Sequence, residues 1–187
     1  MKSKELIKEL YTLLEGQKVN LNQLQELPID TLVWRENSIS WNILECVEHL
    51  NLYLNYYIPE IKRSFSVKKY HSNGEFKSGW LGAYFVKVIK PKEGSAKMKT
   101  KSEMNPLGVE LTKNVLHELL KNLIEFQQVL LETLDYDLIK TKTNISISKI
   151  IKLRLGDTLR FVVYHNERHF KQIDEICKKY MQSEISA

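Results

Sequence analysis

LGDTLRFVVYHNERHFKQIDEI, residues 155–176, is the stretch on which the fold turns. Leu155, Leu159, Val162, Ile173 and Ile176 recur at steps of three or four, the period of a helix with one buried face. His165 and His169 fall on the same stripe. Asp157 is the expected N-cap, and the pattern continues to about Tyr180. Three more segments share this period. Leu6, Ile7, Leu10, Leu13, Leu14, Leu21 and Leu24 mark the first, which Pro28 closes. The second opens after Ser38 or Ser40 as N-cap and turns Ile43, Leu44, Val47, Leu50, Leu54, Tyr57, Ile58 and Ile61 inward. Pro59 within it predicts a kink near Asn55 to Ile58, because proline removes a backbone bond. The third follows Pro106-Leu-Gly108 and reaches about Leu134, with Leu116, Leu119, Leu120, Leu123, Ile124 and Leu130 on its buried side. Amphipathic helices of similar length bury their stripes most simply against one another. The expected class is therefore all-α, a four-helix bundle.

The whole chain agrees with that reading. Its 187 residues leave room for one compact domain, 1–187, and not for two cores of normal size. Hydrophobic residues at 43% and charged residues at 27% exclude a disordered or fibrous chain. Seven Gly and four Pro are too few to punctuate a many-stranded β fold. No run approaches the roughly 18–20 apolar residues of a membrane span, so no membrane partner is expected. The charged N-terminus lacks the apolar core of a signal peptide. Cys46 and Cys177 make no disulfide framework, and the expectation is a cytoplasmic protein with reduced thiols.

About forty residues, Ser66 to Asn105, separate the second and third long helices. A connection of that length lets the two helices it joins run parallel. Within it, Trp80 to Ile89 is apolar and reads as a short helix or strand. Lysines 87, 90, 92, 97, 99 and 101 follow with Glu93 as the one acid. Such a cluster can attract an anionic substrate, and the simpler reading is a solvated loop. Aromatic interleaving and a recognition-helix pattern are absent, which argues against nucleic acid. Ile145-Ser-Ile-Ser-Lys-Ile-Ile alternates and reads as an extended lead-in to the last helix.

Candidate chemistry centres on the histidines. The His165-x-x-x-His169 spacing stacks two imidazoles on one inward helical face, as a shared metal requires. Residue 166 is Asn, so the general-base Glu of a zinc-protease H-E-x-x-H motif is missing. His49, one turn after Cys46 on the second helix, would complete a three-nitrogen site with open positions, suited to zinc, nickel or iron. His71 lies in the Gly/Ser-containing loop and His117 beside Leu116; both read as bystanders. Glu45 and Glu48 read as supporting or solvent-facing groups, and Cys46 as a small buried hydrophobe before a ligand or nucleophile.

Ser40-Trp41-x-x-x-Glu45-x-x-x-His49-Leu50, together with Gly156-Asp157-Thr158-Leu159 leading into His165-x-x-x-His169-Phe170, resembles the DinB-like superfamily, which includes YfiT-type thiol transferases. The stretch Gly79-Trp80-Leu81-Gly82 through Lys90-Pro91-Lys92 is similar to that family's crossover, and the resemblance runs from about Ile29 to Ile176. One departure is Asn42, where the family often has Ser after the Trp. The resemblance implies a four-helix bundle with a long crossover between helices two and three, and a metal held by His49, His165 and His169. It also implies a homodimer, as does the apolar surplus of Trp80 to Ile89. The activity it suggests is a metal-dependent thiol S-transferase taking a small-molecule thiol and an electrophile. The neighbouring readings are a metal-dependent hydrolase and a non-catalytic metal- or ligand-binding stress-response protein.

Overall fold

The computed structural model describes residues 1–67, 69–91 and 100–185, with the backbone alone at Lys149. Six helices and one hairpin are built from these residues: α1 (Ser3–Gln25), α2 (Ile29–Val33), α3 (Ile43–Val67), α4 (Trp80–Ile89), α5 (Asn114–Glu132), β1 (Lys142–Ile145), β2 (Ser148–Arg154) and α6 (Leu155–Ile185). The four long helices are those the apolar period marks. Their inward stripes, among them Leu10, Leu14, Leu50, Leu54, Leu119, Leu123, Leu159 and Val162, are almost fully removed from water and form one continuous core. The fold is the expected all-α bundle.

Side-chain pairs between helices give its topology. Asn51, Asn55 and Lys62 of α3 reach Val115, Glu118 and Glu125 of α5 in the same order, so these helices run parallel. On α1, Glu15 meets Gln127 and Gln25 meets Lys113, the reverse order, so α1 and α5 are antiparallel. Trp41, just before α3, and His49 and Tyr57 within it pack on His169, His165 and Phe161 of α6, again in reverse. The chain therefore runs up in α1, down in α3 and α5, and up in α6. The long crossover between α3 and α5 is what returns it to the starting end.

Several local expectations are corrected. Neither Ser38 nor Ser40 caps α3: Ser40 is spent on a turn with Asn37. The cap is Asn42, whose Oδ1 accepts from the Glu45 backbone N–H at 2.8 Å, while the Asn42 N–H donates to Glu45 Oε2 at 2.8 Å. That reciprocal pair is a capping box with Asn in the Ser position. The expected second segment is α3, which holds Pro59 in its interior. α5 begins later than Gly108, at Asn114, because residues 106–109 close a turn with Gly108 at positive φ, which no helix continues. Ile124 is exposed, its place in the core taken by Phe126 and Val129. Asp157 lies within the first turn of α6, and it caps α4 instead, accepting from the Gly79 N–H at 2.8 Å and from the Ser78 hydroxyl. The alternating stretch before α6 is an antiparallel hairpin, with Lys142 opposite Arg154 and Ile145 opposite Ser148.

Trp80 to Ile89 is a helix, laid along α6 by Val86 and Ile89, which pack with Tyr164. Of the six lysines from Lys87 to Lys101, Lys92, Lys97 and Lys99 lie outside the described residues. Lys87 and Lys101 are exposed, and Lys90 sits with its Nζ 4.1 Å from the centre of the Tyr164 ring. No helix among the described residues is long and apolar enough to cross a membrane.

Candidate metal centre

Antiparallel packing of α3 on α6 brings His49 to the height of His165 and His169. One ligand atom from each lies within 4.8 Å of the others, and this is a grouping that could hold a metal ion. His49 Nε2 stands 3.2 Å from His165 Nε2. Ring centroids are separated by 4.5 Å for His49 and His169, and by 4.6 Å for His165 and His169. All three rings are buried. His71 and His117 are exposed and stand apart from this cluster; the backbone of His71 bridges to Tyr136.

Partners on the outer nitrogens fix which nitrogen faces inward. His49 Nδ1 is 2.6 Å from the Met104 carbonyl, so it carries the proton and donates, leaving Nε2 as a lone pair. His169 Nδ1 likewise donates to Gln172 Oε1 at 3.0 Å. His165 is held by rings: Tyr53 stacks on it at 4.1 Å and Phe161 at 5.8 Å. Its Nδ1 is buried without a hydrogen-bond partner. Burial pushes the His49 imidazole down to about 4, against a smaller raising influence of the Met104 carbonyl. Burial, reinforced by the other imidazoles, also holds His165 and His169 well below the ordinary histidine value. The rings are thus neutral at pH 7, the ligand form.

A cation fits this donor set. Two lone pairs, on His49 and His169, converge in a buried space, and His165 Nε2 could supply a proton to only one of them. Leaving the other unsatisfied there costs free energy that an ion removes.

A second layer of contacts braces the three histidines. Glu45 is completely buried. Besides closing the Asn42 cap, its Oε1 accepts from the Gly108 N–H at 2.6 Å and pairs with Arg35 at 3.1 Å. Trp41 Nε1 donates to Asn105 Oδ1 at 3.0 Å, and the Trp41 ring covers His49 at 4.8 Å. The 104–108 segment is therefore stitched onto the start of α3 at three points, and one of these orients His49. Gly108 takes a positive φ of 79°, which a glycine tolerates best. Glu48 is spent on Asn51. Cys46 is wholly buried in the core, where desolvation pushes its thiol well up, in keeping with a small buried hydrophobe. On the far side of Phe161 lies an apolar notch lined by Tyr57, Phe85, Ile145, Ile147, Leu153 and Phe161.

Sequence reasoning missed Gln172, Tyr53 and Met104. The first two had a signal, since Gln172 follows His169 by three residues and Tyr53 follows His49 by four, so each shares its histidine's helical face. Met104 acts through a backbone carbonyl, which no residue type announces.

A family model described as the DinB superfamily matches residues 13–173, most of the chain. No curated protein and no solved structure matches it.

Proposed function

We propose, from the premise that the chain belongs to the DinB superfamily, that His49, His165 and His169 hold a divalent metal and that the protein is a thiol S-transferase. The observation that carries the proposal is the convergence of three buried, neutral imidazoles whose facing nitrogens lie within 4.8 Å. Zinc, nickel and iron all accept such nitrogen donors. When bound, the ion supplies Lewis acidity that deprotonates a thiol at neutral pH.

The residues around the cluster favour a thiol over water as nucleophile. Glu45, the carboxylate nearest to His49 in the capping region, is committed to Asn42, Gly108 and Arg35, which leaves no general base poised there. A low-molecular-weight thiol needs none, because its proton is already acidic enough to be lost to the ion. Trp41, Tyr53 and Phe161 exclude water from the imidazoles and orient them. In the proposed reaction a carbon–sulfur bond forms while a carbon–halogen or epoxide carbon–oxygen bond breaks. The thiol proton leaves with the halide or ends on the opened oxygen. The free Cys46 and Cys177 accord with a cytoplasmic site of action.

The test uses untagged protein. Metal is quantified, and turnover is followed with a panel of thiols and a generic halogenated electrophile, with and without chelator. Stoichiometric metal and chelator-sensitive turnover support the transferase. Metal with ester hydrolysis but no thiol transfer assigns a hydrolase; metal without either reaction assigns a binding protein. Replacing any one of His49, His165 and His169 by Ala should lower metal affinity by more than about a hundredfold, beyond the loss expected from an outer-shell partner. His71→Ala and His117→Ala should leave it unchanged.

A further inference from the structure

The chain's charge is segregated. Between Glu75 and Glu103 stand seven lysines with Glu93 alone, and between Asp137 and Asp157 stand four lysines and Arg154 with no acid. The rest of the chain carries 16 basic and 22 acidic residues, so the net charge of +5 originates in these two stretches. The fold joins them. Arg154 donates to the Lys77 carbonyl at 2.7 Å, Lys101 to the Ser146 carbonyl at 3.4 Å, and Phe85 of α4 lines one notch with Ile145, Ile147 and Leu153 of the hairpin.

This basic region also exposes apolar side chains. α4 buries Gly82, Val86 and Ile89 and turns Trp80, Tyr84 and Val88, spaced by four residues, to solvent; Trp80 is 84% exposed. In the adjoining hairpin Ile150 is 91% exposed, and Ile147 and Ile151 are exposed too. Lys77, Lys87 and Lys152 stand exposed among them. Single exposed apolar residues are ordinary, but a helical stripe beside a hairpin tip amounts to a patch.

We propose that α4 and the β1–β2 hairpin form a docking face for an anionic lipid surface, with Trp80, Tyr84, Ile147, Ile150 and Ile151 entering the headgroup region and Lys77, Lys87 and Lys152 meeting lipid phosphates. Interfacial anchors combine these residue types: Trp and Tyr at headgroup depth, aliphatic groups below, and Lys for anionic lipid. A second copy fits poorly, because a two-fold contact sets the same lysines against one another. Nucleic acid would use the lysines and the two aromatic rings but leaves the isoleucines in water. The attachment is peripheral, and it stands independently of the metal site.

Co-sedimentation with vesicles tests the proposal. Vesicles of phosphatidylcholine with phosphatidylglycerol should retain the protein, and phosphatidylcholine alone should not. Trp80→Ser/Tyr84→Ser and Lys87→Glu/Lys152→Glu should each weaken retention by about tenfold or more, and added salt should weaken it too. These residues are exposed, so the circular dichroism and metal content of both variants should match the parent. Absence of retention, or retention unaffected by both double variants, overturns the proposal. So does a doubling of mass at micromolar concentration that Trp80→Ser/Tyr84→Ser abolishes, or tighter binding to single-stranded nucleic acid than to the anionic vesicles.

Discussion

Glu45 concentrates the local logic of the candidate centre in one carboxylate. It closes the α3 capping box with Asn42, receives the Gly108 N–H, and pairs with Arg35, all without exposure to solvent. Glu45→Gln keeps the shape but replaces an acceptor oxygen with a donor facing other donors. The expected loss is about 2–4 kcal/mol, read from denaturant unfolding, because one member of a buried, satisfied set leaves the others uncompensated. Metal affinity should fall as well, by roughly tenfold to a hundredfold, since the 104–108 segment presents the carbonyl that holds His49 Nδ1. Metal affinity that survives intact while stability falls would separate the cap from the site. At this scale the sequence was informative wherever side-chain spacing carries the geometry. His165 and His169 are paired by helical period alone, and the Glu45 and His49 positions follow the family pattern. The Met104 carbonyl could not be read, because it depends on where a non-helical segment crosses α3.

Two glycines show how elements are set against each other. Gly82 faces α6 so closely that a Cβ there would overlap the Asp157 carboxylate, which itself caps α4 through Gly79. Gly82→Ala should therefore push α4 off α6 and destabilise by about 1–3 kcal/mol. Gly16, exposed within α1, has nothing within 4 Å of a Cβ, so Gly16→Ala should stabilise by about 0.5–1 kcal/mol through helix propensity. Thermal unfolding of the two variants checks both signs, and equal effects would refute the close approach. The helix interiors were legible because an apolar stripe repeats over many residues and errors average out. Their ends were not. Ser38, Ser40 and Asn42 are all competent caps, and only the tertiary partners of Glu45 select Asn42. The hairpin was half-legible: alternation over Ile145 to Ile151 marked extended chain, but pairing with Lys142 to Ile145 is a longer-range choice.

At the scale of the molecule, three histidines neutralised by burial make the metal-free fold sensitive to acid. In the unfolded chain each titrates near 6.5; in the fold His49 sits at about 4 and the other two are also lowered. As pH falls through that window the unfolded state binds protons that the folded state refuses. Stability is therefore complete above about pH 7 and declines on acidification from about 6.5 towards 4. For His49 alone the decline amounts to about 3 kcal/mol. The lowering of the other two adds in the same direction. Burial raises the Glu48 and Asp174 carboxyls, which opposes this decline on acidification, so the interval from about pH 6.5 to 5 reads the histidines against those two groups. Chelator-treated protein should lose unfolding free energy steadily across that interval, measured by denaturant titration at fixed temperature. The same measurement with excess zinc should begin from a higher plateau, because an ion bound only by the folded state adds stability with its concentration. It should then fall more steeply, because protons and metal compete for the same lone pairs. Replacing His165 by Gln should flatten the metal-free slope by up to one proton, whereas replacing the exposed His71 should leave it unchanged. A metal-free protein whose stability is level from pH 6.5 to 5 would mean that these imidazoles are solvated in the folded chain. The buried cluster, and the metal centre proposed on it, would fall together.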